Sequence, residues 1–291
     1  MVRATGGTWV MRFAHAMKGV PRIPIVILAL VVVAAIFGPW IVPFDPEESD
    51  LVNQFIPPFG MEGGSLTHLL GTDQLGRDFL SRLIVGARIS LIVGAMAVFF
   101  SGFIGTVVAI TAGYLGGMVD AVLMRMTDAM LSMPYLLIGV ALAGILGPGL
   151  LNLIIVLGVL GWASYARVIR SEVLKIKTLD FVVLARITGC SLVRILWRHI
   201  FPNIVNTLIV LATLHFGTAI ILAASLSFLG MGVSPPTAEW GLMVAEGREF
   251  IDSAWWLVTL PGLFILLTCL AANLMGDWLR QRLDPKFRER A

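Results

Sequence analysis

Residues 165–202 read YARVIRSEVLKIKTLDFVVLARITGCSLVRILWRHIFP and form the one long basic, amphipathic segment between two apolar stretches. Arg167, Arg170, Lys175, Lys177, Arg186, Arg194 and Arg198 stand there against Glu172 and Asp180. The sequence on either side is apolar enough to live in lipid, so this segment is where the chain best holds a soluble partner. Ala185 and Gly189 lie four apart, on one face of a helix, and Pro202 follows thirteen residues after the glycine. Few charges interrupt Phe181, Val182, Leu184, Ala185 and Ile187, which gives that helix more apolar surface than a solvated face needs. An ordinary positively charged loop is the plain alternative. A helix seated in a partner's groove explains the apolar surface as well.

The rest of the composition sets the class. Of 291 residues, 58% are hydrophobic and 13% charged, with a mean hydropathy of +0.91. A soluble domain cannot keep so little polar surface in water. Cys190 and Cys269 are too few for a disulfide framework and stand apart from any zinc-ligand spacing. The net charge of +3 is not gathered into a basic domain with interleaved aromatics, so no nucleic-acid partner is expected.

Arg3, Arg12, Lys18 and Arg22 precede an apolar run over 23–42. About 20 residues suffice to cross a bilayer. A signal peptide is the competing reading, but the core is too long and no small-residue cleavage site follows. Residues 43–88 form a polar connection rich in acids, broken by Pro57-Pro58 and by Gly60, Gly63 and Gly64. Within it Leu75, Phe79, Leu80, Leu83, Ile84, Ala87 and Leu91 recur at helical spacing, with Arg77 and Arg82 off the stripe. That pattern predicts an amphipathic helix at the outer membrane surface. Five further spans are predicted over 90–112, 122–146, 150–165, 204–229 and 255–275, with tight turns at Gly113, Gly116, Gly117 and at Gly147-Pro148-Gly149. The expected fold is therefore an all-α integral membrane protein with six transmembrane helices. The basic segment and the tail after Gly276 fall inside with the N-terminus, as the positive-inside rule requires. The division is a tail over 1–22, a first span over 23–42, a connection over 43–88, a five-helix core over 89–276 that includes a loop over 166–202, and a tail over 277–291. Gly102, Gly105, Ala109 and Ala112 serve close helix packing.

No nucleotide-binding loop, metal-ligand spacing or Ser/His/Asp arrangement is present, and His15, His68, His199 and His215 are scattered. His215 lies within a span, as a ligand-facing group or as a helix-to-helix hydrogen bond. Arg125 and Asp128 share a helix face, as a gate or as a packed ion pair, the latter favoured. Pro134 interrupts the same helix and predicts a kink.

With these residues in hand, the chain resembles the inner-membrane permease subunits of ABC importers, in their type I architecture. Within them it is similar to the second, C-type permease of the dipeptide, oligopeptide and nickel family. That superfamily's loop reads Glu-Ala-Ala, three residues, Gly, nine residues, Ile, one residue, Leu-Pro. Here Ala185, Gly189 and Pro202 match, while Val183, Leu184, His199 and Phe201 depart from it. Four further stretches carry the resemblance: HLLGTDQLGRDFLSRLIVGARISL at 68–91, SLSFLGMGVSPP at 225–236, EWG at 239–241 and NLMGDWLRQRLDP at 273–285.

The resemblance implies a bacterial inner-membrane subunit with both termini cytoplasmic, paired with a homologous second permease. It implies two ATP-binding subunits that hold ATP and Mg, this chain having no cofactor and no enzyme activity of its own. It also implies an extracytoplasmic solute-binding protein delivering a peptide substrate. Ala185, Arg186, Gly189 and Pro202 would then belong to the ATPase-coupling loop. Arg77, Arg82, Glu239 and Trp240 would face the binding protein. Nickel or another small solute is the alternative cargo. An ion-coupled secondary transporter is the alternative of another class, and it would need buried acids that the spans lack. A non-transporting membrane scaffold is a fourth reading, and it requires the coupling loop to be dispensable.

Overall fold

The computed structural model describes residues 21–283, which are helical apart from loops and one isolated bridge between Thr72 and Asp78. In order the helices are α1 (Arg22–Ile41), α2 (Phe79–Leu115), α3 (Gly117–Ser132), α4 (Tyr135–Leu146) and α5 (Leu150–Ile176). They continue as α6 (Asp180–Ile187), α7 (Leu192–Phe228), α8 (Trp240–Gly247) and α9 (Trp256–Leu283). The expected basic tails at 1–20 and beyond 283 lie outside the described residues. Five helices, α1, α2, α5, α7 and α9, are each long and apolar enough to cross a membrane. The sixth expected span is the pair α3 and α4, bent by 95°.

That bend has a local cause. Pro134 has no N–H to continue the helix, and its ring forces Met133 out of the α region, to φ −93° and ψ 142°. The predicted kink is thus a break between two helices. Four of the five turn glycines are as expected: Gly116 and Gly117 have φ of 70° and 56°, and Gly147 and Gly149 have 81° and 144°, whereas Gly113, expected in the first turn, lies inside α2.

Other boundaries differ from the sequence reading. No separate amphipathic helix precedes the second span. Helix α2 begins at Phe79 and runs 37 residues without interruption, about 55 Å at 1.5 Å per residue. The apolar stripe Phe79, Leu83 and Ala87 faces no lipid surface; it packs with Val31 and Ala35 of α1, Trp240 of α8, and Trp256 and Leu257 of α9. The loop expected over 166–202 is also shorter. Helix α5 continues to Ile176 and α7 starts at Leu192, so only 177–191 connects them, with α6 inside it.

The bundle is organised around the parallel pair α2 and α5, which touch backbone to backbone. A Cβ on Gly105 would sit 2.5 Å from both the Trp162 carbonyl oxygen and Tyr165 Cβ. A Cβ on Gly113 would sit 2.9 Å from Val173, and one on Gly158 2.9 Å from Phe100. Ser101 donates to the carbonyls of Leu157 and Gly158 at 3.3 and 3.1 Å. Ala109 and Ala112 are fully buried, as close packing requires. Three apolar clusters then follow one another along the bundle. The first is at the α8 end; a middle one gathers Val93, Leu153, Leu157, Leu160 and Leu226; the third, at the α6 end, gathers Tyr165, Ile169, Val173, Val182 and Ile204.

The seam predicts a contrast between two glycines. Gly105→Ala pushes a methyl into backbone that cannot give, and it should cost about 1–3 kcal/mol, the usual range for overpacking. Gly144→Ala in α4 meets nothing within 4 Å and should be neutral or slightly stabilising, since alanine is the better helix former. Thermal unfolding of the purified chain in detergent checks this, and equal shifts for the two variants would contradict the seam.

Candidate functional site

Helix α6 is short and closed at its end by backbone geometry. The Cys190 N–H reaches the Ala185 carbonyl at 3.0 Å, and the Gly189 N–H reaches Arg186 at 3.1 Å. With Gly189 at φ 76°, this is the six-to-one and five-to-two pairing of a Schellman cap. Gly189 is therefore needed for its left-handed backbone, and a Cβ there would meet nothing within 4 Å of this chain. Ala185 does not face outward with it. Ala185 is 8% exposed and, with Val182, packs against Ile169, Val173, Ile195 and Ile204. Its small size lets α6 lie close on its own bundle. Arg186 stays exposed, its guanidinium 5.5 Å from the centre of the Tyr114 ring.

The outward face of α6 is made by its larger residues. Leu184 is 60% exposed and Ile187 75%, with Phe181 and Val183 beside them and Leu179 just before. Positions 180, 183, 184 and 187 recur at helical spacing, so one face is apolar and open except for Asp180 at its first turn.

Several ties fix this unit to the bundle. Lys177 donates to the Gly113 carbonyl at 2.6 Å. Arg170 grips Asp120 of α3 through two guanidinium nitrogens. On the far side α7 opens with an α turn, then a π-helical turn over Leu196–Ile200, in which the Phe201 N–H bonds Leu196. Pro202 is the cause: it offers no N–H to Arg198 and its ring would strike that carbonyl, so the helix widens to go past. Pro202 thus lies inside a continuous helix and does not mark the end of a loop.

The remaining inner-face expectations separate. Asp128 pairs with Arg167 of α5, and Arg125 takes no part in that pair. Both partners are more than half exposed, so the tie is weak. Pro134 stands at the α3–α4 break described above.

At the opposite end, the residues expected to meet an outside partner are buried. Arg77 is 2% exposed and Arg82 0%. Arg77 Nε lies 2.7 Å from Asp73, and its terminal nitrogen 3.4 Å from Glu246. Arg82 donates to Glu246 at 3.0 Å and to the carbonyls of Pro46 and Pro236 at 3.4 Å. Two arginines and two acids thus neutralise one another between α2, α8 and two loops. Glu239 is buried as the cap of α8, accepting from the Gly241 and Leu242 N–H groups at 2.8 Å each. Trp240 Nε1 donates to the Leu83 carbonyl at 3.0 Å, and the Trp240 ring closes over Gly86. Asp78 caps α2 through Ser81 and is met by His68 at 2.9 Å.

The sequence reading missed Asp73, Glu246 and His68 as partners in this cap, and Ser90, whose hydroxyl donates to Glu239 at 3.3 Å and accepts from the Trp240 N–H at 3.2 Å. A signal was available for half of it: Asp78-Phe-Leu-Ser81 and Glu239 before Trp240 are helix-start patterns. Nothing local announces Glu246, which is 164 residues from Arg82. What remains exposed here is the loop itself, where Val52, Leu66, Phe59 and Leu51 stand out. Its 3-10 turn is capped by Asp50, whose carboxyl is held below the usual carboxylate range by the Asn53 side chain and the Val52 N–H.

Comparison with known proteins agrees with this architecture. Residues 105–289 match the family described as binding-protein-dependent transport system inner membrane component. Residues 23–58 match the N-terminal transmembrane domain of oligopeptide transport permease C. A di/tripeptide transport system permease of Pseudomonas aeruginosa is 46% identical over 91% of this chain and 87% of its own length. A dipeptide transport system permease of Escherichia coli K12 is 46% identical over 91% and 88%, and one of Haemophilus influenzae 41% over 92% and 90%. A subunit in the crystal structure of an amino acid ABC transporter shares the fold, with a TM-score of 0.54 at 14% identity, covering 70% of this chain and 95% of that one.

Two outcomes test these assignments. Arg82→Leu leaves the buried Asp73 and the part-buried Glu246 with one guanidinium and should cost about 3–5 kcal/mol, depleting folded protein from the membrane; Arg82→Leu with Glu246→Leu should recover much of it. Gly189→Val should fray α6, costing about 1–2 kcal/mol for a left-handed residue, while Gly189→Asn should hold it. Hydrogen exchange over 180–190 reads the second pair.

Proposed function

Because the chain belongs to the binding-protein-dependent transport system inner membrane component family, we propose that it forms half of the path of an ATP-driven importer for di- and oligopeptides. The observation that carries the cargo is the identity, over nine-tenths of the chain, to permeases named for dipeptides and tripeptides. Among the described residues no group of three His, Cys, Asp or Glu is placed to hold a metal, so no observation favours the nickel alternative.

The apolar face of α6 supports a mechanism of coupling. Leu184, Ile187 and Phe181 seat in a groove of a cytoplasmic ATP-binding subunit, which holds ATP and Mg. That subunit's movement on hydrolysis then pushes α6. The helix cannot slide alone, because Val182 and Ala185 are locked into the cluster shared by α5 and α7, so the push turns those spans as rigid bodies. A homologous permease forms the other half of the path. Arginines and lysines gather at the α6 end, which supports a cytoplasmic side for that end and for both termini. The buried charge cap then lies outside, where it holds the 42–78 loop in shape. The solute-binding protein meets the exposed part of that loop, with Val52, Phe59 and Leu66, and not Arg77, Arg82, Glu239 or Trp240.

Proteoliposomes carrying the co-purified complex, with binding protein supplied outside, should accumulate labelled dipeptide only with ATP. Ile187→Asp, on a fully open face, should leave the chain inserted but weaken ATP-binding-subunit retention about 10- to 100-fold, as loss of one buried aliphatic side chain predicts. Uptake should fall in step. Normal retention and uptake in Ile187→Asp would remove the docking reading; ATP-stimulated turnover without peptide uptake would remove the cargo.

A further inference from the structure

Halfway along the bundle lies a small, mostly apolar pocket with a few polar side chains in its wall, used neither by the coupling face nor by the outer cap. Tyr165 of α5 is fully buried, and its hydroxyl has no hydrogen-bond partner among the described residues. Its ring lies against His215 of α7, centroids 4.8 Å apart and tilted by 35°. These two line a cavity of about 50 Å³ together with Ser101, Tyr135 and Thr218; the other lining residues are apolar. Ser101 is committed to backbone carbonyls and Tyr135 to Ser164 at 2.9 Å. Tyr165, His215 and Thr218 are left to bind something else.

Tyr165 also lines a second opening. A groove of about 680 Å³ runs between α2 and the first half of α7, walled by residues such as Phe99, Phe103, Trp197 and Phe201, with Tyr165 at its edge. The groove is of the size that holds a whole small ligand, roughly 300–1,000 Å³, and the pocket is far below it. No Asp, Glu, Lys or Arg lines either one. A buried hydroxyl without a partner is costly, more so inside a membrane bundle where bulk water offers no substitute. A phenylalanine would pack there without that cost, so the hydroxyl implies a partner that comes and goes.

Resting on the peptide-importer reading, we infer that Tyr165, His215 and Thr218 form an uncharged hydrogen-bonding subsite for the backbone amide of a peptide passing along the groove. The tyrosine hydroxyl donates to a peptide carbonyl, and the threonine hydroxyl and neutral imidazole pair with amide N–H or carbonyl groups. Every peptide carries those groups whatever its side chains, so the contact is indifferent to sequence. Lacking a formal charge, the subsite does not trap a charged terminus or side chain, which lets cargo leave. The pocket admits one amide and no side chain of size.

The test uses the full complex in proteoliposomes with dialanine loaded on the binding protein. Tyr165→Phe and Thr218→Val should each lower dialanine taken up per ATP hydrolysed by about 3- to 10-fold, the worth of one neutral hydrogen bond. Co-purification of the ATP-binding subunits serves as the assembly control. Independently, Thr218→Cys is placed in a chain with Cys190→Ser and Cys269→Ala. Its alkylation by a small thiol reagent should slow when dialanine-loaded binding protein is added with a non-hydrolysable ATP analogue. Wild-type uptake per ATP in both variants and unchanged alkylation would overturn the subsite while leaving the importer standing. A wild-type complex that hydrolyses ATP on binding-protein addition but takes up no dialanine would overturn the peptide reading and the subsite with it.

Discussion

Backbone contact between α2 and α5 sets the geometry of everything else. Lipid tails are as apolar as leucine, so helices in a membrane gain little by hiding apolar side chains from one another and associate through packing and hydrogen bonds. Gly105, Gly113 and Gly158 let these two helices meet closely enough for both to operate, and Ser101 ties them with a side-chain bond to two carbonyls. Helix α5 then carries Tyr165 at its middle and leads into α6 at its end. Helix α2 starts in the buried charge cap. A single seam thus aligns the charge cap, the pocket and the open apolar face of α6 along one axis.

The two ends solve the problem of polar groups in different ways. At the α8 end, charges are buried and must balance, because an unpaired ion there costs more than the pair contributes. Asp73 and Glu246 are satisfied by Arg77 and Arg82, while Asp78 and Glu239 cap helices whose first N–H groups would otherwise lack acceptors. At the α6 end, Asp128 and Arg167 stay largely in solvent, and the apolar residues of α6 are the ones left unpaired. The charge cap is finished within this chain, whereas the apolar face of α6 is left open by it.

Much of this was legible from the sequence, and the exceptions share a cause. Apolar length located the spans, and Gly116, Gly147, Gly149 and Pro134 marked the turns and the break, because those features are local. Periodicity in 75–91 identified the right face of α2 but not its cover: α1, α8 and α9 occupy it, none of which is near in sequence. Arg77 and Arg82 looked solvent-facing because their counter-charge on Glu246 is far along the chain. Ala185 was placed on the correct segment and the wrong face, since a small residue fits a close approach to its own bundle as well as to another protein. His215 was singled out as intramembrane, but its neighbour Tyr165 became notable only when its hydroxyl proved to be without a partner.

The wide turn over Leu196–Ile200 also sets a phase. Ile195, Ile200 and Ile204 are all buried in one cluster, although five residues separate the first two. On an uninterrupted α-helix a step of five would swing the second isoleucine about 140° off the face of the first. The π turn absorbs the extra residue, so the first turns of α7 and its long membrane section share a single apolar edge despite a sequence that is out of step. Pro202 therefore acts as a spacer between two helical rhythms. Any homologue lacking this proline would need its isoleucines moved by one position to keep the same edge.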